Sequence, residues 1–251
     1  MARIIAVANQ KGGVAKTTSV QSLGVALAQR GERVLLVDLD PQACLTFSNG
    51  TDPDELDRSL HDVMLGRATA EEVRIKAGDV HLLPASIDLA GAEVHLLSRT
   101  GREYVLKRAL QPLLASYDLV LIDCPPSLGI LTINGLTAAD EVLVPLQCET
   151  LSQRGVGQLL ETIDDVRAYT NPSLAVRGVI ATLYDRRTKL AHQVVAEIPE
   201  RYGLTVLLPP VPKSVKVAEA PGRGRSVLDH APTSGAAIAY RELAAALLEP
   251  A

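Results

Sequence analysis

Short, nearly continuous Val/Ile/Leu runs alternate along this chain with longer stretches in which apolar residues recur every three or four positions. The first kind is how a strand reads when both of its faces are covered, and it predicts strands over 3–8, 33–38, 80–84, 118–123, 141–146, 177–183 and 204–208. The second kind predicts helices. In residues 16–29, Val20, Leu23 and Leu27 fall on one face and Gly31 stops the run; over 152–168, Leu159, Ile163 and Val166 do the same ahead of Asn171 and Pro172. Short helices are expected over 59–65 and near Val215, and a last helix over 234–248 that packs on the core. Strand–helix alternation of this order implies an α/β fold: a doubly wound, mostly parallel sheet with helices on both faces and right-handed crossovers. Ligands of such sheets sit at the carboxyl ends of the strands. Residues 44–78, with the turn-rich NGTDPDELD, break the alternation and read as an insertion, and 209–225 holds four of the fifteen prolines and reads as an ordered surface loop.

A length of 251 residues and an ordinary balance of 47% hydrophobic to 22% charged residues fit one globular domain over 1–251. No apolar run approaches the ~18 residues of a membrane span, and the amino end carries no signal-peptide pattern, so a cytoplasmic protein is expected. Cys44, Cys124 and Cys148 are widely spaced without any CxxC, which fits buried free thiols better than disulfides or a local metal site. The five histidines show no metal-ligand spacing, and Ser127 and Ser152 have no histidine near them in sequence, so a hydrolase triad has no support. The net charge of −4 hides an asymmetry. Residues 181–225 hold eight basic side chains against four acidic ones, a net +4 that leaves −8 for the remainder and hints at a surface facing a polyanion.

The chemistry concentrates in NQKGGVAKTT, residues 9–18, directly after the first predicted strand and opening the first predicted helix. A strand feeding a glycine turn into a helix aims successive backbone N–H groups and the positive helix end at one spot, which suits a polyphosphate. Lys16 adds the charge and Thr17 a hydroxyl for Mg²⁺. The strict pattern GxxxxGK[ST] would need glycines at 10 and 15, where this chain has Gln10 and Ala15. At the end of the second strand, VLLVDLDPQ places Asp38 and Asp40 beside that loop; in isolation such a pair would serve equally well as a turn with helix-capping duties. The run DLVLIDCPPS ends a further strand in Asp123.

These segments resemble the ParA/MinD group of ATPases, whose signature KGGxGKT carries an extra lysine, matched here by Lys11; Ala15 is the departure. The resemblance covers about residues 3–245 and is closest to the short ParA proteins. It implies that Lys11, Gly12, Gly13, Val14, Ala15, Lys16, Thr17 and Thr18 cradle ATP. Lys11 would reach across an ATP-dependent homodimer to the partner's nucleotide. Asp40 would orient the attacking water, Thr17 and Asp123 would hold Mg²⁺, the latter through a water, and the run VLVPLQCE ending near Glu149 matches the same pattern. TLYDRRTKLAHQV and PPVPKSVKVAEAP match the family's nucleotide-base loops, the second closing on the base with its backbone near Pro212. Within them Arg187 and Lys216 would bind double-stranded DNA without sequence preference.

The implied protein is a slow ATPase of the nucleoid, stimulated by a ParB-type centromere-binding partner, serving chromosome or plasmid segregation. The chain opens on its first strand, so an operator-reading extension is not expected. Three other readings stay open. A MinD-like division-site ATPase would end in a basic amphipathic helix, whereas this chain ends AAIAYRELAAALLEPA, and no membrane partner is expected. A metabolic relative of the same fold would need paired cysteines or a substrate domain. A nucleotide-binding switch with little hydrolysis follows if Ala15 obstructs the loop: a position demanding positive φ would cost alanine about 1 kcal/mol.

Overall fold

The computed structural model describes residues 2–148 and 152–249. Among these, eight strands form one sheet: β1 (Arg3–Val7), β2 (Val34–Asp38), β3 (Ile75–Ala77), β4 (Val80–Leu83), β5 (Leu119–Asp123), β6 (Glu141–Gln147), β7 (Ala175–Thr182) and β8 (Val206–Leu207). Their order is β3-β4-β2-β5-β1-β6-β7-β8, and every neighbouring pair is parallel except β3 with β4. The helices in chain order are α1 (Lys16–Ala28), α2 (Cys44–Ser48), α3 (Leu60–Leu65), α4 (Ala70–Val73), α5 (Leu89–Leu97), α6 (Val105–Leu110), α7 (Ile130–Ala138), α8 (Ser152–Tyr169), α9 (Lys189–Tyr202), α10 (Val215–Glu219), α11 (Val227–His230) and α12 (Gly235–Leu248).

Successive strand residues feed opposite cores, because side chains alternate across a pleated sheet. Ile4 and Ala6 of β1 enter the core shared with α3, α5, α7 and α8, while Ile5 and Val7 enter the core beneath α1 and α12. Both faces being covered, each central strand reads as an uninterrupted apolar run. The doubly wound, mostly parallel architecture is therefore the one expected.

Two expectations change. Residues 44–78 are not an insertion: α2 packs beside α1, α3 buries Leu60, Val63 and Met64, and β3 adds the antiparallel edge. Their apolar residues are too scattered to show a period, yet they fill both cores, Leu45 the one beneath α1 and Leu60, Val63 and Met64 the other. Helices α5, α6 and α7 were not legible at all. In α7 eight of nine residues are buried, so no polar face marks its period.

Candidate functional site

The central strands β2, β5 and β1 end side by side, with Asp38 and Val7 each in register with Asp123. The loop leaving β1 is tied down from several elements. Asn9 Nδ2 donates to the Pro145 carbonyl of β6 at 2.7 Å, and Asn9 Oδ1 accepts the Lys11 N–H at 3.0 Å. The Thr182 hydroxyl at the end of β7 donates to the Val14 carbonyl at 2.9 Å. Gly155 of α8 lies so close that a Cβ there would stand 2.9 Å from Asn9 Oδ1. The loop then turns through Gly13 at φ +74° and Ala15 at φ 64°, ψ 36°. Ala15 is the N-cap of α1 and stands in the left-handed region, which costs a non-glycine residue roughly 1–2 kcal/mol. The glycine that the strict pattern demands at 15 is thus a conformational requirement, and this chain meets it with strain.

Lys16 opens α1, is 7% exposed, and its Nζ donates to the Lys11 carbonyl at 3.4 Å. Burial lowers its pKa, against the pull of Asp123, Cys124 and Asp40. Asp123 is wholly buried, and neither of its carboxylate oxygens finds a hydrogen-bond partner of good geometry. Burial, and then the charge of Asp38, push Asp123 well above the usual carboxylate range; the nearby Thr17 hydroxyl and Lys16 act the other way. Asp38 is also fully buried and burial raises it to about 7. Its Oδ2, however, accepts from both the N–H and the hydroxyl of Thr46 of α2, at 2.8 and 2.6 Å. Thr46 Oγ1 in turn accepts the Ala85 N–H at 2.9 Å, so Asp38 binds α2 and the end of β4 into one frame. Asp40 lines the neighbouring cavity, its Oδ1 fixed by the Gln42 N–H at 3.0 Å.

That cavity encloses about 900 Å³ and is lined by Gly12, Gly13, Ala15, Lys16, Thr17, Thr18 and Asp40 together with residues of α2 and the 52–54 turn. Ala15, Ala43 and Leu183 are the described non-glycine residues with positive φ, and all of them line this cavity. Backbone strain of this kind concentrates where a ligand fixes the geometry. Among the described residues no group of three or more His, Cys, Asp or Glu could hold a metal unaided. A single orphaned carboxylate beside a threonine hydroxyl and a phosphate-shaped backbone turn instead fits Mg²⁺, which keeps waters and shares phosphate oxygens. Lys11 is half-buried, with Nζ donating to Gln147 Oε1 at 3.3 Å. Glu149 lies outside the described residues.

Sequence reasoning missed Asn9, Thr46, Thr182 and Gly155. Asn9 stands inside the 9–18 loop as a polar residue closing an apolar strand; the others act across the fold and leave no local signal. Cys124 and Cys148 are buried as expected, but Cys44 is exposed, since the first turn of α2 faces the cavity.

The remaining candidates lie elsewhere. Pro212 lines a separate cavity of about 690 Å³, between the loop after β7 and α12, together with Arg186, Arg187, Lys213 and Ile238. All eight basic side chains of 181–225 are exposed. Arg187, with 84% of its side chain in solvent, forms a two-pronged pair with Asp185 at 2.9 and 2.8 Å and holds that carboxyl well below its usual range. Lys216 Nζ lies 2.9 Å from Glu219, which His230 also approaches at 3.2 Å.

Residues 2–176 match the family model described as an AAA domain. The chain is 42% identical to the sporulation initiation inhibitor protein Soj of Bacillus subtilis, over 97% of each chain. It is 43% identical to the chromosome partitioning protein ParA of Caulobacter vibrioides, over 96% of this chain and 92% of that one. Among solved structures it resembles cobyrinic acid a,c-diamide synthase of Mycobacterium smegmatis, at 55% identity and TM-score 0.89. The match covers 99% of this chain and 94–95% of that one, which holds ADP or an ATP analogue with magnesium. No described helix is long and apolar enough to cross a membrane.

Proposed function

This chain belongs to the Soj/ParA branch of the deviant Walker ParA/MinD ATPases, and from that premise we propose that it is a DNA-partitioning ATPase whose ATP-bound form pairs into a homodimer. The observation that carries this reading is the buried Lys16 set near a buried Asp123, whose carboxylate oxygens lack hydrogen-bond partners, beside a strained phosphate-type turn. A ligand offering an anion to Lys16 and a cation to Asp123 offsets the desolvation that both groups bear.

In this reading the N–H groups of residues 12–17 and the Lys16 ammonium hold the phosphates, and Thr17 and Asp123 hold Mg²⁺. When bound, the ion spreads the charge that builds on the phosphate oxygens. Asp40, fixed by the Gln42 N–H, takes hold of the attacking water and aims it in line. Asp38 shapes the site without touching substrate. Lys11 leaves Gln147 and reaches the partner's nucleotide, so the site is complete only in a dimer. Arg187 and Lys216 exchange their carboxylate partners for DNA phosphates, a contact that is salt-dependent and blind to sequence. A ParB-type protein stimulates the slow hydrolysis that releases DNA, and the protein sits in the cytoplasm on the nucleoid.

The Mycobacterium smegmatis structure favours a second reading, an ATP-dependent amide synthase. Glutamine-fed amidation draws ammonia through a reactive thiolate, but burial raises the pKa of Cys124 and Cys148, and the Cys44 thiol, although exposed, is raised too by partial desolvation and then by the nearby Asp40 and Asp38. The test is ATP turnover with and without non-specific duplex DNA at two salt concentrations, beside Lys16→Ala. Turnover that DNA stimulates at low salt, absent in Lys16→Ala, supports partitioning. Turnover indifferent to DNA but dependent on cobyrinic acid and an ammonia source would replace it.

A further inference from the structure

A cavity of about 610 Å³ opens between α3, α4 and α6 and shares no lining residue with the nucleotide cavity. Its floor is apolar, since Val63, Val105 and Leu113 line it and are buried. Around this floor stand Arg67, Arg99 and Arg108, all of them exposed. Arginines beside apolar surface commonly serve the fold through an ion pair, a bond to a carbonyl or a covering stem. Here that service is small. Among the described residues the side chains of Arg67 and Arg108 make no hydrogen bond and no ion pair, and Arg108 only lies over the Tyr104 ring at 6.0 Å. Arg99 gives Nη1 to the Met64 carbonyl at 3.2 Å and keeps the rest of its fork unpartnered.

Two carboxylates line the same cavity, and both are answered by other groups. Glu71 Oε1 lies 2.5 Å from Arg74 Nη2. Glu72 Oε2 accepts from the N–H and the hydroxyl of Thr69 at 2.7 and 2.8 Å, and its Oε1 lies 3.5 Å from Arg58. Three guanidinium charges therefore border the cavity without a counter-charge, in a chain whose net charge is −4. A guanidinium presents a planar fork that takes the oxygens of a phosphate or carboxylate in pairs. The volume falls in the range of small-ligand sites, roughly 300–1,000 Å³, which combine mostly apolar walls with a few polar groups. We propose that this cavity is a second binding site, for a small amphipathic anion whose apolar body lies on Val63, Val105 and Leu113 and whose phosphate or carboxylate is held by Arg67, Arg99 and Arg108. The site stands independently of the partitioning role.

The test is calorimetric titration of the full chain with octyl phosphate, kept below its micelle concentration, with Mg²⁺ and ATPγS present to fill the phosphate loop. The same titration on Lys16→Ala removes that loop as an alternative site. Octyl phosphate is expected to bind both proteins alike, while inorganic phosphate and octanol, each offering half of the chemistry, bind about tenfold more weakly or worse. Arg67→Gln with Arg108→Gln is expected to weaken octyl phosphate by about tenfold or more at a nearly unchanged melting temperature, because neither side chain is hydrogen-bonded to the fold. Ala109→Leu, at a half-buried position of the lining, should weaken it with all three arginines in place. No binding of octyl phosphate, or binding that every variant keeps, overturns the proposal. Binding lost in Lys16→Ala assigns the anion to the phosphate loop and overturns it as well. Sedimentation with phosphatidylglycerol vesicles without binding of monomeric octyl phosphate would make the arginines a lipid-surface contact and overturn the enclosed site too.

Discussion

Lys16 and Asp123 are buried at the carboxyl ends of the central strands, the Asp123 carboxylate without a hydrogen-bond partner, whereas Arg187 and Lys216 stand in solvent with their charges already answered by Asp185 and Glu219. Burying such groups costs desolvation, which a ligand that pairs with them offsets. An exposed ion pair contributes only about 0–1 kcal/mol, so a dense polyanion can displace its carboxylate. The first region is built to require its ligand and the second to tolerate exchange. That division is what the proposed function requires, nucleotide held firmly and DNA reversibly.

The largest expected effect lies within the first region. Asp40→Ala removes the group assigned to orient water without touching the phosphate cradle. Turnover should fall by roughly 100-fold or more, the usual scale for losing a positioned proton-handling group, while fluorescent ATP still binds. Hydrolysis at the wild-type rate would end the assignment of Asp40.

Asp38 provides an effect of comparable size on stability in place of turnover, read in its pH dependence. Its folded pKa is raised from 3.8 to about 7, chiefly by burial. Between those values the folded chain holds a proton that the unfolded chain has released, so stability falls as pH rises through that window. The full change is on the order of 4 kcal/mol, from a shift of about three units. Asp38→Asn, which keeps an acceptor for Thr46, should flatten the melting temperature between pH 4 and 7. An unaltered pH profile would mean that Asp38 is ionised in the folded chain.

Asp38 also marks where sequence stops being informative. That it closes a strand next to the phosphate loop could be read from VLLVDLDPQ, as could Lys16 and Asp123, because chain order places strand ends and loops together. That Thr46 holds it could not: eight residues of turn-rich sequence hide a one-turn helix. The same limit hid α5 and α7, whose apolar residues surround the axis and leave no period. Ala15 was visible as a departure, but only the backbone reveals that the position demands positive φ.

In the second region the expected effect is smaller and depends on salt. Arg187→Glu with Lys216→Glu should lower the slope of log affinity for duplex DNA against log salt by about 2, given roughly 0.9 for each phosphate that is no longer neutralised. Nucleotide binding should not change. Asp185→Asn should act in the opposite direction, since it frees Arg187 from its bidentate partner. If both variants bind DNA as the wild type does, the footprint lies on other basic residues of 181–225.

The smallest effect returns to the loop. At φ 64° Ala15 carries a left-handed penalty of roughly 1–2 kcal/mol that glycine would not. Against this, glycine gives the unfolded chain more freedom, worth roughly 0.5–1 kcal/mol. Ala15→Gly should therefore stabilise the protein by a net of about 1 kcal/mol or less, a rise in melting temperature of about 2–4 °C at most for a chain of this size. If the strain limits how the loop meets phosphate, the gain should be larger with ATP bound than without. A gain equal in both states would place the strain in the fold alone. A fall in melting temperature would mean that the Ala15 methyl makes packing contacts worth more than the strain it imposes.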